Sequence, residues 1–115
     1  MVCMVQKIQA SILEDLISSS LTELKAIDPV TINVKKLSSF TDYMMIASGS
    51  SNRHIQSIGE KVLEDLEIKK IKPLGIEGQG SDGWLLIDLG DVVIHLMSSN
   101  MRRFYDLESL WDPDI

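Results

Sequence analysis

The stretch from Trp84 to Met97, W-L-L-I-D-L-G-D-V-V-I-H-L-M, constrains the fold of this chain more than any other. Two apolar runs flank Gly90-Asp91, a dipeptide typical of a two-residue hairpin turn that begins with glycine. If Leu89 lies opposite Val92, the strand pleat sorts the side chains onto two faces. The aliphatic face, expected to lie under helices, holds Leu85, Ile87, Leu89, Val92, Ile94 and Leu96. The mixed face holds Trp84, Leu86, Asp88, Val93, His95 and Met97.

The residues before Ser50 predict one helix and two strands. Apolar side chains at helical spacing predict an amphipathic helix from Val5 to Leu24. Asp28-Pro29 is expected to end it, because the residue before a proline is pushed out of the helical region. The alternation of V-T-I-N-V-K-K-L, residues 30–37, predicts a strand with Ile32 and Val34 on one face. The more apolar residues 41–49 predict a second, more central strand.

The second half of the chain predicts two further helices around the hairpin. A helix capped by Ser50 or Ser51 is expected to bury Ile55, Ile58, Val62 and Leu66. K-P-L-G-I-E, residues 72–77, predicts a short strand with its proline near the start or at an edge. The last helix should begin near Ser99 and place Phe104, Leu107 and Trp111 on one side. The predicted architecture is a single α/β domain over residues 1–115, with a mixed five-stranded sheet and three helices, whose strand order the sequence does not predict.

A glycine-rich segment precedes the hairpin and matches the dinucleotide fingerprint G-x-G-x-x-G. It reads Gly78-Gln79-Gly80-Ser81-Asp82-Gly83. That fingerprint requires a helix after the glycines, whose N-terminus receives the pyrophosphate. Here a strand follows, so we predict a connecting loop and no nucleotide.

The composition limits which classes of partner and which cellular compartment are compatible with this chain. Seventeen acidic against eleven basic residues give a net charge of −6, which disfavours a free nucleic-acid backbone and favours a basic protein surface. The single cysteine, Cys3, excludes an intramolecular disulfide, and no apolar run is long enough to cross a bilayer. We therefore predict a cytoplasmic protein. His54, expected at the surface, and His95 are too few for a metal site, and no cofactor is predicted.

The mixed face of the hairpin is the first candidate site. Three helices cover one face of a five-stranded sheet more readily than two, so this face is expected to be open. Tryptophan and methionine are enriched in the cores of protein interfaces. The alternative, that Trp84 is covered by a loop or a chain end, is equally compatible with the pattern.

Four segments together resemble the ribosomal silencing factor family, called RsfS or Iojap. They are D-Y-M-M-I-A-S-G-S-S-N-R-H-I-Q-S-I, G-I-E-G, W-L-L-I-D-L-G-D-V-V-I-H-L-M and R-R-F-Y-D-L-E-S-L-W, in order between Thr31 and Trp111. The resemblance implies a nucleotidyltransferase-like fold without the catalytic carboxylates, and homodimers when free. It also implies binding to the large ribosomal subunit through that subunit's ribosomal protein fourteen. Such binding blocks joining of the small subunit and represses translation under nutrient limitation, while organelle relatives act in large-subunit maturation.

The resemblance also assigns residues. Trp84, in W-x-x-x-D-L-G-D, and Tyr105, in R-R-F-Y-D-L-E, fall at the family's partner-facing positions. Combined with the mixed face, this predicts a partner-binding set of Trp84, Leu86, Asp88, His95, Met97 and Tyr105. Asp88 is expected to pair with a basic group of the partner. Arg102 and Arg103 are candidates for a minor contact with ribosomal RNA.

Two alternatives to a silencing factor remain at this point. Gly49-Ser50 after a strand resembles the G-S that opens a nucleotidyltransferase active site, but such enzymes need carboxylates that converge on metal ions. Asp88 and Asp91 are spaced D-x-x-D across a hairpin tip, so their side chains need not converge. We therefore predict a protein that is not an enzyme. The other alternative is a large-subunit assembly factor.

Overall fold

The computed structural model describes residues 10–34, 41–78 and 83–106, which build one mixed sheet and three helices. In chain order the elements are α1 (Ala10–Glu23), β1 (Ile27–Asn33), β2 (Tyr43–Gly49), α2 (Asn52–Ile68), β3 (Gly75–Glu77), β4 (Trp84–Asp88), β5 (Val92–Ser98) and α3 (Ser99–Tyr105). The predicted five-stranded α/β architecture is confirmed. None of the helices within these ranges is long and apolar enough to span a membrane.

The strands lie in the order β1-β2-β5-β4-β3, with β2 and β5 parallel and every other pair antiparallel. The predicted hairpin register is confirmed, because the Leu89 N–H donates to the Val92 carbonyl at 2.9 Å and Trp84 lies opposite Met97. Gly90 has a φ of 90°, a conformation that favours glycine at this turn position. The sheet is therefore centred on β5, which carries half of the mixed face.

The glycine-rich segment connects two strands, as predicted. β3 ends at Glu77 and β4 begins at Trp84. Gly78 and Gly83 have φ values of 88° and 87°, which supply the turns at the two ends of the segment. The middle of the fingerprint, residues 79–82, lies outside the described residues.

Helices α1 and α2 pack on the aliphatic face and form the larger core. Its fully or almost fully buried members include Ile17, Leu21, Ile55, Ile58, Val62, Leu66, Leu85, Ile87, Ile94 and Leu96. The predicted buried face of α2 is thus confirmed, and so is its cap, because the Ser51 side chain accepts a hydrogen bond from the His54 N–H. Ser20 of α1 donates to Asp65 of α2 at 2.5 Å, a polar contact between the two helices. This hydrogen bond is the largest cause of the lowered pKa of Asp65.

The end of α1 differs from the prediction. The helix ends at Glu23, where the Ala26 N–H donates to the Leu21 carbonyl at 2.9 Å and Lys25 has a φ of 60°. This is a Schellman-type end with a lysine in the position that usually holds glycine. Asp28-Pro29 is therefore not what ends the helix. Both residues lie inside β1, an edge strand with a register shift at this point, where a missing N–H is tolerated. Residues 5–9 of the predicted helix lie outside the described residues.

The last helix is shorter than predicted. α3 begins at Ser99, as expected, with Ser98 as its cap, but it ends at Tyr105. Asp106 takes a left-handed conformation and its N–H donates to the Arg102 carbonyl, which closes the helix. The prediction of one apolar side is wrong for Phe104, which is 79% exposed. Leu107 and Trp111 lie outside the described residues.

A second apolar cluster occupies the mixed face of the sheet. Its buried members are Ile32, Val34, Met44, Ile46 and Met97, and Val30, Trp84 and Met101 pack against it. Strands β1 and β2 supply three of the five buried residues, and Val34 directly follows β1. α3 lies on this side, because Met101 contacts the cluster and Arg102 reaches Ser48, which shares the face of Ile46. The prediction that this face is open is therefore wrong.

Candidate partner-binding site

β4 and β5 bring together five of the six predicted partner-binding residues on one face. Trp84, Leu86 and Asp88 alternate along β4, and His95 and Met97 alternate along the neighbouring β5. Tyr105 is the last residue of α3, and its side chain lies outside those that the structure describes. The hairpin register, read from the sequence, is therefore sufficient to assemble most of the predicted set.

Trp84 is held in place by His95. The indole N–H donates to His95 Nδ1 at 3.0 Å, and the ring centroids lie 5.8 Å apart at an angle of 54°. His95 is 7% exposed, and this burial lowers its pKa from 6.5 to about 4. The imidazole is therefore neutral at pH 7, with Nδ1 as acceptor and the proton on Nε2. An imidazolium has no acceptor nitrogen and would lose this hydrogen bond.

The accessible part of the site is smaller than predicted. Trp84, Leu86 and Asp88 are half-buried and together form what is called here the Trp84 surface. Met97 is fully buried and His95 almost so. The expectation that these two side chains lie on an open face is wrong, because β1 and β2 extend the apolar layer beside Met97 and the indole lies against His95. His95 bonds to the Trp84 indole from the neighbouring strand, and Met97 belongs to the cluster on which Trp84 packs.

One carboxylate oxygen of Asp88 accepts a hydrogen bond within the hairpin. Its Oδ1 accepts the Gly90 N–H at 2.9 Å, a side-chain contact that fixes the turn. The Asp91 carbonyl accepts the N–H groups of Asp42 and Tyr43 at 2.9 and 3.0 Å, which ties the hairpin tip to the start of β2. Asp88 is half-buried, so part of this residue remains accessible. Over residues 10–34, 41–78 and 83–106, no three His, Cys, Asp or Glu side chains form a group that would hold a metal ion.

Gly49-Ser50 has a structural explanation. A Cβ at Gly49 would lie 2.6 Å from Ile55 Cγ1 and 3.0 Å from the Ile55 N, so β2 and α2 approach closely only with glycine here. The Ser50 N–H donates to His54 Nδ1 at 2.8 Å, and His54 Nε2 lies 2.8 Å from the Leu24 carbonyl. Since a carbonyl only accepts, the proton is on Nε2, and His54 bridges this turn to the end of α1. His54 is half-buried, and its ring nitrogens take part in these contacts.

The sequence analysis did not predict that a side chain of α3 packs beside Trp84. Met101 packs beside Trp84, and Phe104 follows one helical turn later as the most exposed large apolar side chain in the described ranges. The three-residue spacing of Met101 and Phe104 is the sequence signal that places them on one side of a helix. Met101 belongs to the surroundings of the Trp84 surface.

Arg102 and Arg103 differ in their surroundings. Arg102 Nη1 donates to the Ile27 carbonyl and to Ser48 Oγ, each at 3.1 Å, and so fastens α3 to β1 and β2. Arg103 is exposed. Both line an open depression of about 640 Å³ that also includes Asp28 and Asp106. Acidic and basic side chains are balanced there, so only Arg103 remains as a candidate for a contact with ribosomal RNA.

The fold and this surface define an α/β protein that presents an oriented tryptophan beside a short helix. The chain belongs to the ribosomal silencing factor family, since the family model described as ribosomal silencing factor during starvation matches residues 7–114. The ribosomal silencing factor RsfS of Chromobacterium violaceum is 36% identical over 80% of this chain and 75% of its own length. A mouse protein named mitochondrial assembly of ribosomal large subunit protein 1 is 37% identical over 84% of this chain and 44% of its own length.

Solved structures agree with this family assignment. A crystal structure of a Chromobacterium violaceum protein superposes with a TM-score of 0.87 at 33% identity, covering 90% of this chain and 87% of the other. A Bacillus halodurans crystal structure superposes with a TM-score of 0.80 at 32% identity, covering 89% of this chain and 95% of the other. The five-stranded fold described above is therefore that of the family.

Proposed function

We propose that this chain is a ribosomal silencing factor that binds the large ribosomal subunit through its ribosomal protein fourteen. Docking there blocks joining of the small subunit and represses translation when nutrients are limiting. The observation that carries the proposal is the half-buried Trp84, whose indole N–H is fixed to the buried His95. A side chain already held in one orientation loses little conformational freedom on binding, which favours affinity.

Each residue of the Trp84 surface has a distinct part in this proposal. Trp84 is the apolar anchor, Leu86 extends the apolar contact, and the Asp88 carboxylate pairs with a basic group. Tyr105, the last residue of α3, is proposed to add a further contact with the partner. The net charge of −6 accelerates encounter with a basic partner. His95 and Met97 act indirectly, because both are buried and hold Trp84 in place.

Replacement of Trp84 tests the proposal. Trp84→Ala should weaken binding to the large subunit by ~30- to 1000-fold, which corresponds to ~2–4 kcal/mol for a buried interface tryptophan. Co-sedimentation with purified large subunits measures binding, and a subunit-joining assay measures the loss of silencing. Because Trp84 also packs on the second cluster, the melting temperature is measured on the same preparation. Glu60→Ala is the control, since Glu60 is exposed on α2, which packs on the other face of the sheet.

The two measurements separate the outcomes. Loss of binding by a chain that still melts cooperatively above the assay temperature supports the proposal. Binding that is unchanged by Trp84→Ala contradicts it, and a lowered melting temperature with normal binding would assign Trp84 to the core alone.

A function in large-subunit assembly is the second candidate, favoured by the name of the mouse relative. The two functions differ in what depletion of the chain does to its host. A silencing factor should leave large subunits mature, and excess chain should inhibit joining of mature subunits. An assembly factor should leave immature large subunits after depletion, visible as particles that sediment more slowly.

We also propose that the chain acts by binding and transfers no nucleotide. The roles of Gly49, Ser50 and Asp88 in close packing, the turn before α2 and the hairpin turn support this proposal. Titration calorimetry with each magnesium nucleoside triphosphate should give no heat of binding at micromolar concentrations. Binding that is lost in Asp88→Asn would instead favour a nucleotidyltransferase.

We propose that the free chain self-associates as a homodimer. Large apolar side chains that remain highly exposed, such as Ile68, Leu74 and Phe104, support this because a second chain would cover part of them. Light scattering at tens of micromolar should give twice the chain mass. A strict monomer would remove this proposal and leave the ribosomal one intact.

A further inference from the structure

An open depression between α3 and β1 lies where two neighbouring parallel strands end. The last residues of β2 and β5, Gly49 and Ser98, lie side by side. After β2 the chain continues into α2 on the aliphatic face, and after β5 it continues into α3 on the mixed face. Ligands of open α/β sheets bind outside the carboxyl ends of strands whose connections diverge in this way. Ser48 and Ser99 line the depression, which is called here the α3 depression and therefore occupies such a position.

The basic groups of the α3 depression come from α3. Arg102 Nη1 donates to the Ile27 carbonyl and to the hydroxyl of the buried Ser48, each at 3.1 Å, so its guanidinium is held in one orientation. Arg103 also lines the depression and is exposed. Arginine matches the geometry of a carboxylate, and a side chain that is already held in place loses little conformational freedom on binding. The two arginines therefore favour a ligand with a carboxylate.

Two exposed acids, Asp28 and Asp106, line the same depression. Within the described part of the chain, no ion pair joins either of them, or Arg103, to another side chain. Asp106 is left-handed because it closes α3, whereas Asp28 has a φ of 46° inside β1, at the register shift. Left-handed residues other than glycine cluster at ligand sites. The unpaired carboxylates favour a ligand that also carries an ammonium group.

The rest of the lining is apolar and comes from β1. Ile27, Pro29 and Val30 line the α3 depression, and Ile27 is 38% exposed. The volume of about 640 Å³ lies within the range of small-molecule sites, roughly 300–1,000 Å³. A nucleotide is disfavoured, because the two carboxylates would repel its phosphate groups. The lining matches a small molecule that has an apolar group and one charge of each sign.

We propose that the α3 depression binds a small zwitterion with an apolar side chain, of the class of a free amino acid or a dipeptide. Its carboxylate pairs with Arg102 and Arg103, and its ammonium group pairs with Asp28 and Asp106. The apolar side chain of the ligand packs against β1. This inference does not rest on the proposed ribosomal function, because it concerns the isolated chain.

Titration of the isotope-labelled full chain, followed by NMR at pH 7, tests the site. Leucine and the dipeptide leucyl-leucine carry both charges, whereas N-acetyl-leucine lacks the ammonium group and leucinamide lacks the carboxylate. Leucine or leucyl-leucine should shift the amide resonances of Ser48, Ser99 and Arg103 at millimolar concentrations. Each probe with a single charge should bind on the order of three- to tenfold more weakly, because one charged contact is lost. The stronger binder of the first two probes tells whether the site prefers an amino acid or a peptide.

Two conservative substitutions assign the charged contacts. Asp28→Asn removes the charge but keeps a residue that tolerates a left-handed backbone, so it should reduce the preference for leucine over N-acetyl-leucine. Arg103→Gln should reduce the preference for leucine over leucinamide. Asp15→Asn and Arg53→Gln are the matched controls, since they make the same changes at exposed residues of α1 and α2 outside the depression. Both controls should bind the probes like the unmodified chain.

The titrations also define what overturns the proposal. It is overturned if neither leucine nor leucyl-leucine shifts these resonances, or if the probes with a single charge bind as tightly as those two. Equal losses in the controls and in the site variants would overturn it as well. Shifts caused by sodium phosphate but not by the zwitterions would assign the arginines to phosphate groups instead. The spectrum of each variant reports its fold, and the probe series on the unmodified chain decides the proposal even if a variant does not fold.

Discussion

His95 makes the stability of the fold depend on pH. Its pKa lies at about 4 in the folded chain, lowered by burial, against 6.5 for an unperturbed histidine. Between these two values the unfolded chain binds a proton that the folded chain does not. The contribution of His95 is therefore fully present above about pH 6.5 and is lost as the pH falls towards 4. A shift of about 2.5 pKa units corresponds to roughly 3 kcal/mol of unfolding free energy.

A variant that does not titrate isolates this contribution. In His95→Gln the amide oxygen can still accept the Trp84 indole N–H, so the packing around Trp84 is largely kept. We expect the unmodified chain to lose on the order of 3 kcal/mol more than His95→Gln between pH 7 and pH 4. Urea unfolding followed by circular dichroism at several pH values measures the difference. Parallel pH profiles for the two chains would show that His95 is not the group responsible.

Trp84 shows how far the sequence predicts a single site residue. The hairpin register, and so the neighbours of Trp84 on β4 and β5, followed from the alternation around Gly90-Asp91. The burial of His95 and Met97 did not follow, because it depends on which strands lie beside β5. The parallel pairing of β2 with β5 brings Met44 and Ile46 to the mixed face, and no local pattern encodes a parallel pairing.

At the scale of elements, one close approach fixes how α2 sits on β2. Gly49 is buried, and an added Cβ would meet both the side chain and the backbone of Ile55. Gly49→Ala should therefore destabilise the chain by about 1–3 kcal/mol, the range for overpacking a well-packed core. The free energy of unfolding in urea measures this change.

Gly75 provides the matched control for Gly49. It also lies in a strand, but a Cβ added there meets nothing within 4 Å. Gly75→Ala should be neutral or stabilise by up to ~1 kcal/mol, because alanine restricts the unfolded chain. Equal effects of the two substitutions would show that the contact with Ile55 is not what requires glycine.

The ends of α1 and α3 were predicted less well than the buried face and the N-terminal cap of α2. The buried face of α2 and its Ser51 cap follow from helical spacing and from the hydroxyl at the start of the helix. The ends of α1 and α3 instead use Lys25 and Asp106 in left-handed conformations. Lysine and aspartate are not the residues that usually signal such an end, so the sequence carried no clear stop there.

At the scale of the whole molecule, the two faces of the sheet are covered differently. Helices α1 and α2 pack on the aliphatic face and form the larger core. Trp84 lies at the start of β4, on the opposite sheet face, which α3 contacts. Substitutions of exposed residues on α2 should therefore leave the Trp84 surface unchanged.

The net charge of the whole chain predicts how binding depends on salt. A charge of −6 attracts a basic protein surface, and added salt screens this attraction between exposed charges. The association rate constant with isolated ribosomal protein fourteen should therefore fall as the salt concentration rises, whereas the dissociation rate constant should change much less. Stopped-flow mixing at several salt concentrations measures both constants. An association rate constant that does not depend on salt would contradict a contribution of the net charge to encounter.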